Sequence, residues 1–146
     1  MKSWKLVLLV LGVAALAFAG LGMAMSLETY KVKAHLNGAQ DKAKTKGTGS
    51  FTGTVVEKGK KKTLTWKLTY KKLSGAANAA HIHMGKKGVA GPVVVPLCGP
   101  CKSGAHGKAS VTEKIVSALE HHKAYVNVHT AKYPNGEIRG QVSVTG

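Results

Sequence analysis

Short segments of alternating apolar and polar residues run through much of the chain and are separated by turn-forming residues. In residues 29–36 every second side chain is apolar, and residues 64–70 repeat the pattern. A period of two is typical of a β-strand with one face in the core. The sequence therefore predicts an all-β fold, in which His35 lies on the exposed, lysine-bearing face of the first strand.

Further strands are predicted by the same reasoning, and together they suggest a closed architecture. They cover residues 49–57, 79–84, 93–97, 124–130 and 138–144. Basic residues 58–62, a glycine-rich segment at 85–91 and a Pro-Asn-Gly segment at 132–136 are the predicted turns, and residues 37–46 form a loop. About seven short strands with closely spaced turns indicate a β-sandwich or Greek-key barrel.

One short helix interrupts the strands. Ser110 and Glu113 have the spacing of a capping box, in which the first residue caps the helix. Ile115, Val116 and Leu119 would form its apolar stripe, and the helix would end near residues 121–122.

The N-terminus has the pattern of an export signal. Lys2 and Lys5 precede an apolar run that ends in small residues, and we expect cleavage after Ala24. An uncleaved membrane anchor is the alternative, because the run is just long enough to span a bilayer. Residues 1–24 are therefore predicted to be a signal peptide, residues 25–146 a single domain, and the location periplasmic or extracellular.

The chain is strongly basic, with a net charge of +16. Loss of the two lysines before residue 24 leaves +14 on the remaining chain, so the charge belongs to the domain. Lysines at 58–62, 71–72 and 86–87 would attract an anionic polysaccharide or membrane surface. Few aromatic residues accompany them, so we expect no specific nucleic-acid recognition. Solvated lysines that keep the domain soluble are the simpler interpretation.

Cys98 and Cys101 form a CxxC sequence after a predicted strand. Redox-active CxxC pairs lie at the start of a helix, which lowers the pKa of the first thiol. In an exported protein the simpler expectation is a disulfide that stiffens a loop, with redox or metal-binding roles as alternatives.

Histidines carry the most specific signal for chemistry. His81 and His83 would share one face of a strand, and His129 would lie with Tyr125 and Asn127 on the polar face of a later strand. If the two strands are neighbours, three imidazoles converge. His106, in the loop after the two cysteines, is the candidate fourth ligand or simply a loop residue. Copper is the preferred metal and zinc is possible. Because only neutral imidazoles bind metals, binding should weaken at acidic pH.

A packing network is the competing interpretation of these histidines. His81, His83, His129 and Arg139 could form a buried cluster that fixes the structure. Its hydrogen-bond partners would be Tyr125, Asn127, Thr130 and Glu137. Spacing alone does not separate the two interpretations.

Four segments resemble the CHRD domain, which is named after chordin and is widespread in secreted bacterial proteins. They are AHIHMG at 80–85, GPVV at 91–94, YVNVHTA at 125–131 and PNGEIRGQ at 134–141. The resemblance extends over about residues 30–144. It implies an extracellular module without one universal activity, and the cysteine loop and dense lysines lie outside the pattern.

The order of an HxH pair, a later histidine and a C-terminal arginine also resembles copper/zinc superoxide dismutase, a Greek-key barrel. That resemblance implies copper ligation by His81, His83 and His129 and an anion-guiding role for Arg139. The expected fold is therefore an all-β Greek-key β-sandwich or barrel, immunoglobulin-like or superoxide-dismutase-like, with one short helix. The bridging histidine and the zinc ligands of that enzyme are missing, so superoxide chemistry is the sole enzymatic candidate and a complete dismutase is not expected.

Overall fold

The structure, a computed structural model, describes residues 27–145. Within that range nearly all regular structure is β, as predicted, and one short helix is present. The elements are β1 Leu27–Asn37, β2 Thr48–Lys58, β3 Lys61–Lys71, β4 Ala77–Met84, β5 Val93–Cys98, β6 Ala105–Ser110, α1 Glu113–Glu120, β7 Ala124–Thr130, β8 Ile138–Gln141 and β9 Ser143–Thr145. No helix in residues 27–145 is long and apolar enough to cross a membrane. The predicted signal peptide lies outside the described residues.

The strands form one antiparallel sheet that curls towards closure. Its order is β5-β4-β7-β8-β1-β2-β3-β6, with β9 paired to β1. The two end strands, β5 and β6, contact each other. Through this contact β4, β5 and β6 are neighbours in chain order around the closed sheet, and β7 lies on the other side of β4. Three consecutive strands with the next strand beside the first form the Greek-key arrangement predicted from the sequence.

The core lies inside this curled sheet and is built from the apolar positions of the alternating segments. Val32, Phe51, Val55, Leu64 and Leu68 are at most 1% exposed. Helix α1 adds Ile115, Val116 and Leu119, all buried on one of its faces. Apolar side chains fill the inner face of the sheet, and His81, His83 and His129 have the opposite strand parity, so the candidate site lies on the outer surface.

The structure corrects two local expectations. His106, which was expected in a loop after the cysteines, lies in β6, and β6 pairs with β3 so that His106 lies opposite Lys67. The helix is capped by Thr112, whose hydroxyl oxygen accepts a hydrogen bond from the Ile115 amide, so Ser110 is not the capping residue.

The cysteines and the basic turn have the predicted forms with one change. Cys98, at the end of β5, forms a disulfide with Cys101, in the connection to β6. The lysine-rich turn is a tight hairpin in which Gly59 has a φ of +57°. Lys62 is not solvated as the sequence suggested, because it forms ion pairs with Glu57 and Glu113.

Candidate metal centre

The three histidines predicted to converge lie on two neighbouring strands. Strands β4 and β7 pair directly, with Ala79 opposite His129 and His81 opposite Asn127. Residues directly opposite one another in a sheet share a face, and diagonal neighbours are also within reach of long side chains. Since Ala79 is small, it leaves room for the His129 ring to lean towards His81.

The three imidazole rings form a compact triangle on the outer face of the sheet. Their centroids are 5.1 Å apart for His81 and His129, 5.6 Å for His81 and His83, and 5.8 Å for His83 and His129. One ring nitrogen from each residue lies within 4.8 Å of the others. The fold therefore brings together residues that are 48 positions apart in the chain.

A backbone carbonyl fixes the tautomer of His83. Its Nδ1 lies 2.9 Å from the carbonyl oxygen of Gly91, which can only accept a hydrogen bond. Nδ1 therefore carries the proton, and Nε2 keeps its lone pair. That Nε2 atom is buried and has no hydrogen-bond partner in the described structure. His83 as a whole is also buried, with 9% of its surface exposed.

His129 is oriented in the same way by a different loop. Its Nδ1 lies 3.0 Å from the carbonyl oxygen of Pro134, so Nε2 is again the atom with a free lone pair. This Nε2 lies 3.3 Å from Nδ1 of His81. Histidines that ligate metals almost always donate their second ring N–H to a carbonyl, carboxylate or water. His83 and His129 already have that arrangement.

The surroundings favour the neutral form of two of the imidazoles. Burial lowers the pKa of His81, and the neighbouring His129 and His83 rings lower it further. Burial also lowers the pKa of His83 and outweighs the opposing effect of its hydrogen bond to Gly91. Since only the neutral ring can donate a lone pair, both shifts favour ligation.

A stacked layer holds His83 from the side. The Tyr125 ring lies parallel to the His83 ring, with centroids 4.9 Å apart, and the Arg139 guanidinium lies 3.3 Å from the centre of the Tyr125 ring. The Tyr125 hydroxyl accepts a hydrogen bond from the Gly91 amide. Gly91 belongs to the loop between β4 and β5, residues 85–92, so this loop contacts both rings. Tyr125 therefore helps to fix the position of His83.

Arg139 lies near the histidines, but its contacts do not suit the guidance of an anion. Its Nη2 donates to the carbonyl oxygens of Lys86 and Val89, and the residue is 3% exposed. A guanidinium buried under this loop is not accessible to a dissolved anion. The sequence-based expectation of an anion-guiding arginine is therefore replaced by a role in holding the loop over Tyr125.

His106 does not join the group. It lies on β6, at the end of the sheet order opposite to β4, and its side chain is exposed. The cysteines are joined to each other, so neither offers a free thiolate.

Asp41 is a neighbour of the site that the sequence analysis did not identify. Its carboxylate lies 3.8 Å from Nη1 of Arg139 and interacts electrostatically with His129 and His83. Burial raises the pKa of Asp41, against the effects of Arg139 and these histidines. Asp41 belongs to a loop, residues 38–47, whose approach to β7 and β8 no local sequence pattern indicates.

The polar network proposed as an alternative is only partly present. Glu137 is buried, but its carboxylate accepts hydrogen bonds from Thr45, Ser74 and Thr130 rather than from an imidazole. The contact between His81 and His129 and the stacking of His83, Tyr125 and Arg139 are consistent with a packing network, and the 3.3 Å between the two histidine nitrogens fits either a hydrogen bond or a shared metal ion.

Comparison with protein families identifies the fold that carries this site. The family model of the CHRD domain matches residues 32–142, which is most of the chain. The chain belongs to the CHRD domain family. All three histidines, Tyr125 and Arg139 fall within the matched range of this CHRD domain. No curated protein and no solved structure matches the chain.

Proposed function

We propose that this CHRD domain is an exported module that binds one transition-metal ion through His81, His83 and His129. The single observation that carries the proposal is the orphaned Nε2 of His83, buried beside the other two rings. A buried polar atom without a partner is unfavourable, and a metal ion would satisfy it. A packing network alone leaves this lone pair unused.

The spacing of the nitrogens supports the proposal. With metal–nitrogen bonds of about 2.0 to 2.1 Å and tetrahedral or trigonal angles, two ligating nitrogens lie about 3.3 to 3.6 Å apart. Nδ1 of His81 and Nε2 of His129 are 3.3 Å apart. The nitrogen of His83 is within 4.8 Å of them, so a ring movement on the order of 1 Å completes the set.

Copper is the preferred ion. The ligand set consists of imidazoles alone, and for nitrogen ligands the affinity of divalent ions reaches its maximum at copper. Three protein ligands leave a coordination position open to water or another small ligand.

Export is the second part of the proposal. The apolar run before residue 25, the disulfide between Cys98 and Cys101 and membership of the CHRD family all support a periplasmic or extracellular location.

Zinc is the second candidate ion, since zinc also accepts three imidazoles.

Metal titration of the purified full chain tests the metal site. We expect one equivalent of Cu²⁺ to bind, with nitrogen couplings in its electron paramagnetic resonance spectrum. His83→Gln and His129→Gln should each weaken Cu²⁺ binding at least about tenfold, because each removes a ligand. Zn²⁺ titrations of the same proteins compare the two metals.

Two histidines outside the group provide matched controls. His106→Gln and His35→Gln remove exposed imidazoles and should leave the affinity unchanged. Thermal melts without metal show whether each variant is folded. Equal copper binding by the wild type and the folded His83→Gln and His129→Gln variants would refute the metal site and leave a packing network.

A further inference from the structure

One outer face of the sheet carries only basic and hydroxyl-bearing side chains over two complete rows. The first row crosses five paired strands through Ser143, Lys33, Thr52, Lys67 and His106. The second row is parallel to it and consists of Thr145, Lys31, Thr54, Thr65 and Lys108. We call these ten residues the lysine–threonine face.

The positive charges on this face are spread across the sheet. With neighbouring strands about 4.8 Å apart, Lys33 and Lys67 are separated by about 10 Å, and Lys31 and Lys108 by about 14 Å. All four lysines are exposed. A shallow depression of about 370 Å³ lies between the rows and is lined by Lys31, Lys33 and Lys67 together with four threonines from three strands. The face therefore presents several cations around one groove.

No acidic residue interrupts the two rows. Glu57, the acidic residue of β2, has the opposite strand parity to Thr52 and Thr54 and is paired with Lys62. Many positively charged protein surfaces contain compensating carboxylates, but none of the ten positions here is acidic. Such a field attracts extended polyanions and raises their rate of association.

We propose that the lysine–threonine face binds an acidic polysaccharide, laid across the strands over the groove. The lysines would pair with its carboxylate or sulfate groups. The threonine hydroxyls both donate and accept hydrogen bonds, so they suit the hydroxyl groups of sugars between the charged groups. This surface is separate from the histidine site, which lies on β4 and β7.

The composition of the face favours a polysaccharide over other polyanions. The rows contain no Phe, Tyr or Trp, and Trp66, which lines the groove, is only 6% exposed, so the face offers little aromatic surface on which single-stranded nucleic acid bases could stack. Neither row contains an apolar side chain that could insert into a lipid bilayer. Four threonines and a serine instead match a ligand rich in hydroxyl groups.

Binding of a labelled heparin oligosaccharide to the full chain, measured by fluorescence anisotropy in 150 mM NaCl, tests the proposal. The face variant replaces Lys31, Lys33, Lys67 and Lys108 with Gln. We expect at least about twentyfold weaker binding, since each exposed lysine contributes to attraction towards an anionic surface.

A control variant removes the same charge elsewhere. It replaces Lys44, Lys46, Lys87 and Lys123, all exposed and away from the two rows, with Gln. We expect this variant to bind within about threefold of the wild type, because the reduction in net charge alone is largely screened at this salt concentration. Equal weakening in both variants would overturn the proposal, because binding would then follow net charge and not this face.

A second comparison distinguishes the class of ligand. Thr52→Val, Thr54→Val and Thr65→Val together remove hydroxyl groups and retain β-branched side chains suited to strands. This triple variant should bind heparin at least about threefold more weakly. Duplex DNA and phosphatidylglycerol vesicles should bind the wild type more weakly than heparin and be insensitive to the triple variant. Tighter binding to either one would overturn the polysaccharide assignment.

Discussion

At the scale of single residues, Glu137 is a clear case of a charge placed where water cannot reach it. Its side chain is fully buried, and its two oxygens accept hydrogen bonds from Thr45, Ser74 and Thr130. Burial acts to raise the pKa of Glu137, but the hydrogen bonds together outweigh it and lower the pKa below its usual value. This carboxylate joins the loop before β2, the segment after β3 and strand β7.

The lowered pKa makes Glu137 a source of acid-dependent stability. A carboxyl group with a lower pKa in the folded state stabilises the fold fully above its unfolded pKa, and the effect is lost as pH falls through the folded pKa. Glu137→Gln keeps the shape and removes the charge. We expect it to lower the free energy of unfolding by about 1 to 2 kcal/mol at pH 7.

Urea unfolding at several pH values between 7 and 3 measures this effect. The difference between wild type and Glu137→Gln should shrink as the pH falls below the unfolded pKa of about 4.3, because the unfolded wild-type chain then takes up a proton that folded Glu137 binds only at lower pH. Glu120→Gln, at an exposed carboxylate, is the control and should change little. A difference that stays constant down to pH 3 would contradict an ionised Glu137.

At the scale of secondary-structure elements, the start of α1 distinguishes two candidate caps. Thr112 is the capping residue in the structure, whereas the sequence pattern favoured Ser110. Thr112→Ala should lower the free energy of unfolding by about 1 kcal/mol, since the Ile115 amide loses its acceptor. Ser110→Ala should have a smaller effect. Urea denaturation of both variants measures the difference, and a larger loss for Ser110→Ala would show that the helix starts earlier.

The strands that the sequence revealed differ from the strand that it did not reveal in the size of the side chains at their core-facing positions. Strands such as β1 and β3 alternate large apolar and polar residues, so a local pattern reveals them. Strand β6 has only Ala105, Gly107 and Ala109 at its alternate positions. A side chain at Gly107 would contact the Trp66 ring, and this small residue is therefore needed where the indole occupies the space. That requirement comes from β3 and leaves no periodic signal in β6.

The histidine site, too, was only partly predictable, because local sequence patterns do not show which distant strands pair. Strand periodicity correctly placed His81 and His83 on one face and His129 on the polar face of its own strand. The pairing of β4 with β7 depends on the Greek-key topology, in which two strands and a helix intervene, and the sequence pattern alone did not establish it. The approach of Asp41 and the loop over Tyr125 likewise depend on tertiary packing.

At the scale of the whole molecule, charge imbalance is the dominant electrostatic property. The chain has 22 basic residues and six acidic residues, so few of its cations can have a carboxylate of their own. Among the acidic residues, Glu137 is buried and Glu57 forms an ion pair with Lys62. Repulsion among the remaining positive charges destabilises the compact state, because folding brings them closer together.

Salt should therefore stabilise this domain. Screening shortens the range of repulsion from about 30 Å at 0.01 M ionic strength to less than 10 Å above 0.1 M. We expect the melting temperature at pH 7 to rise by at least about 2 °C between 20 and 500 mM NaCl. The ion pairs of Lys62 oppose this trend, but surface pairs contribute little.

Differential scanning calorimetry of the wild type and of the face variant measures the effect and its origin. The face variant carries four fewer positive charges, so its melting temperature should rise less with salt than that of the wild type. Chloride is the suitable anion because it binds lysine clusters less specifically than polyanions do. A wild-type melting temperature that is unchanged or falls over this range would show that repulsion does not limit the stability of the fold.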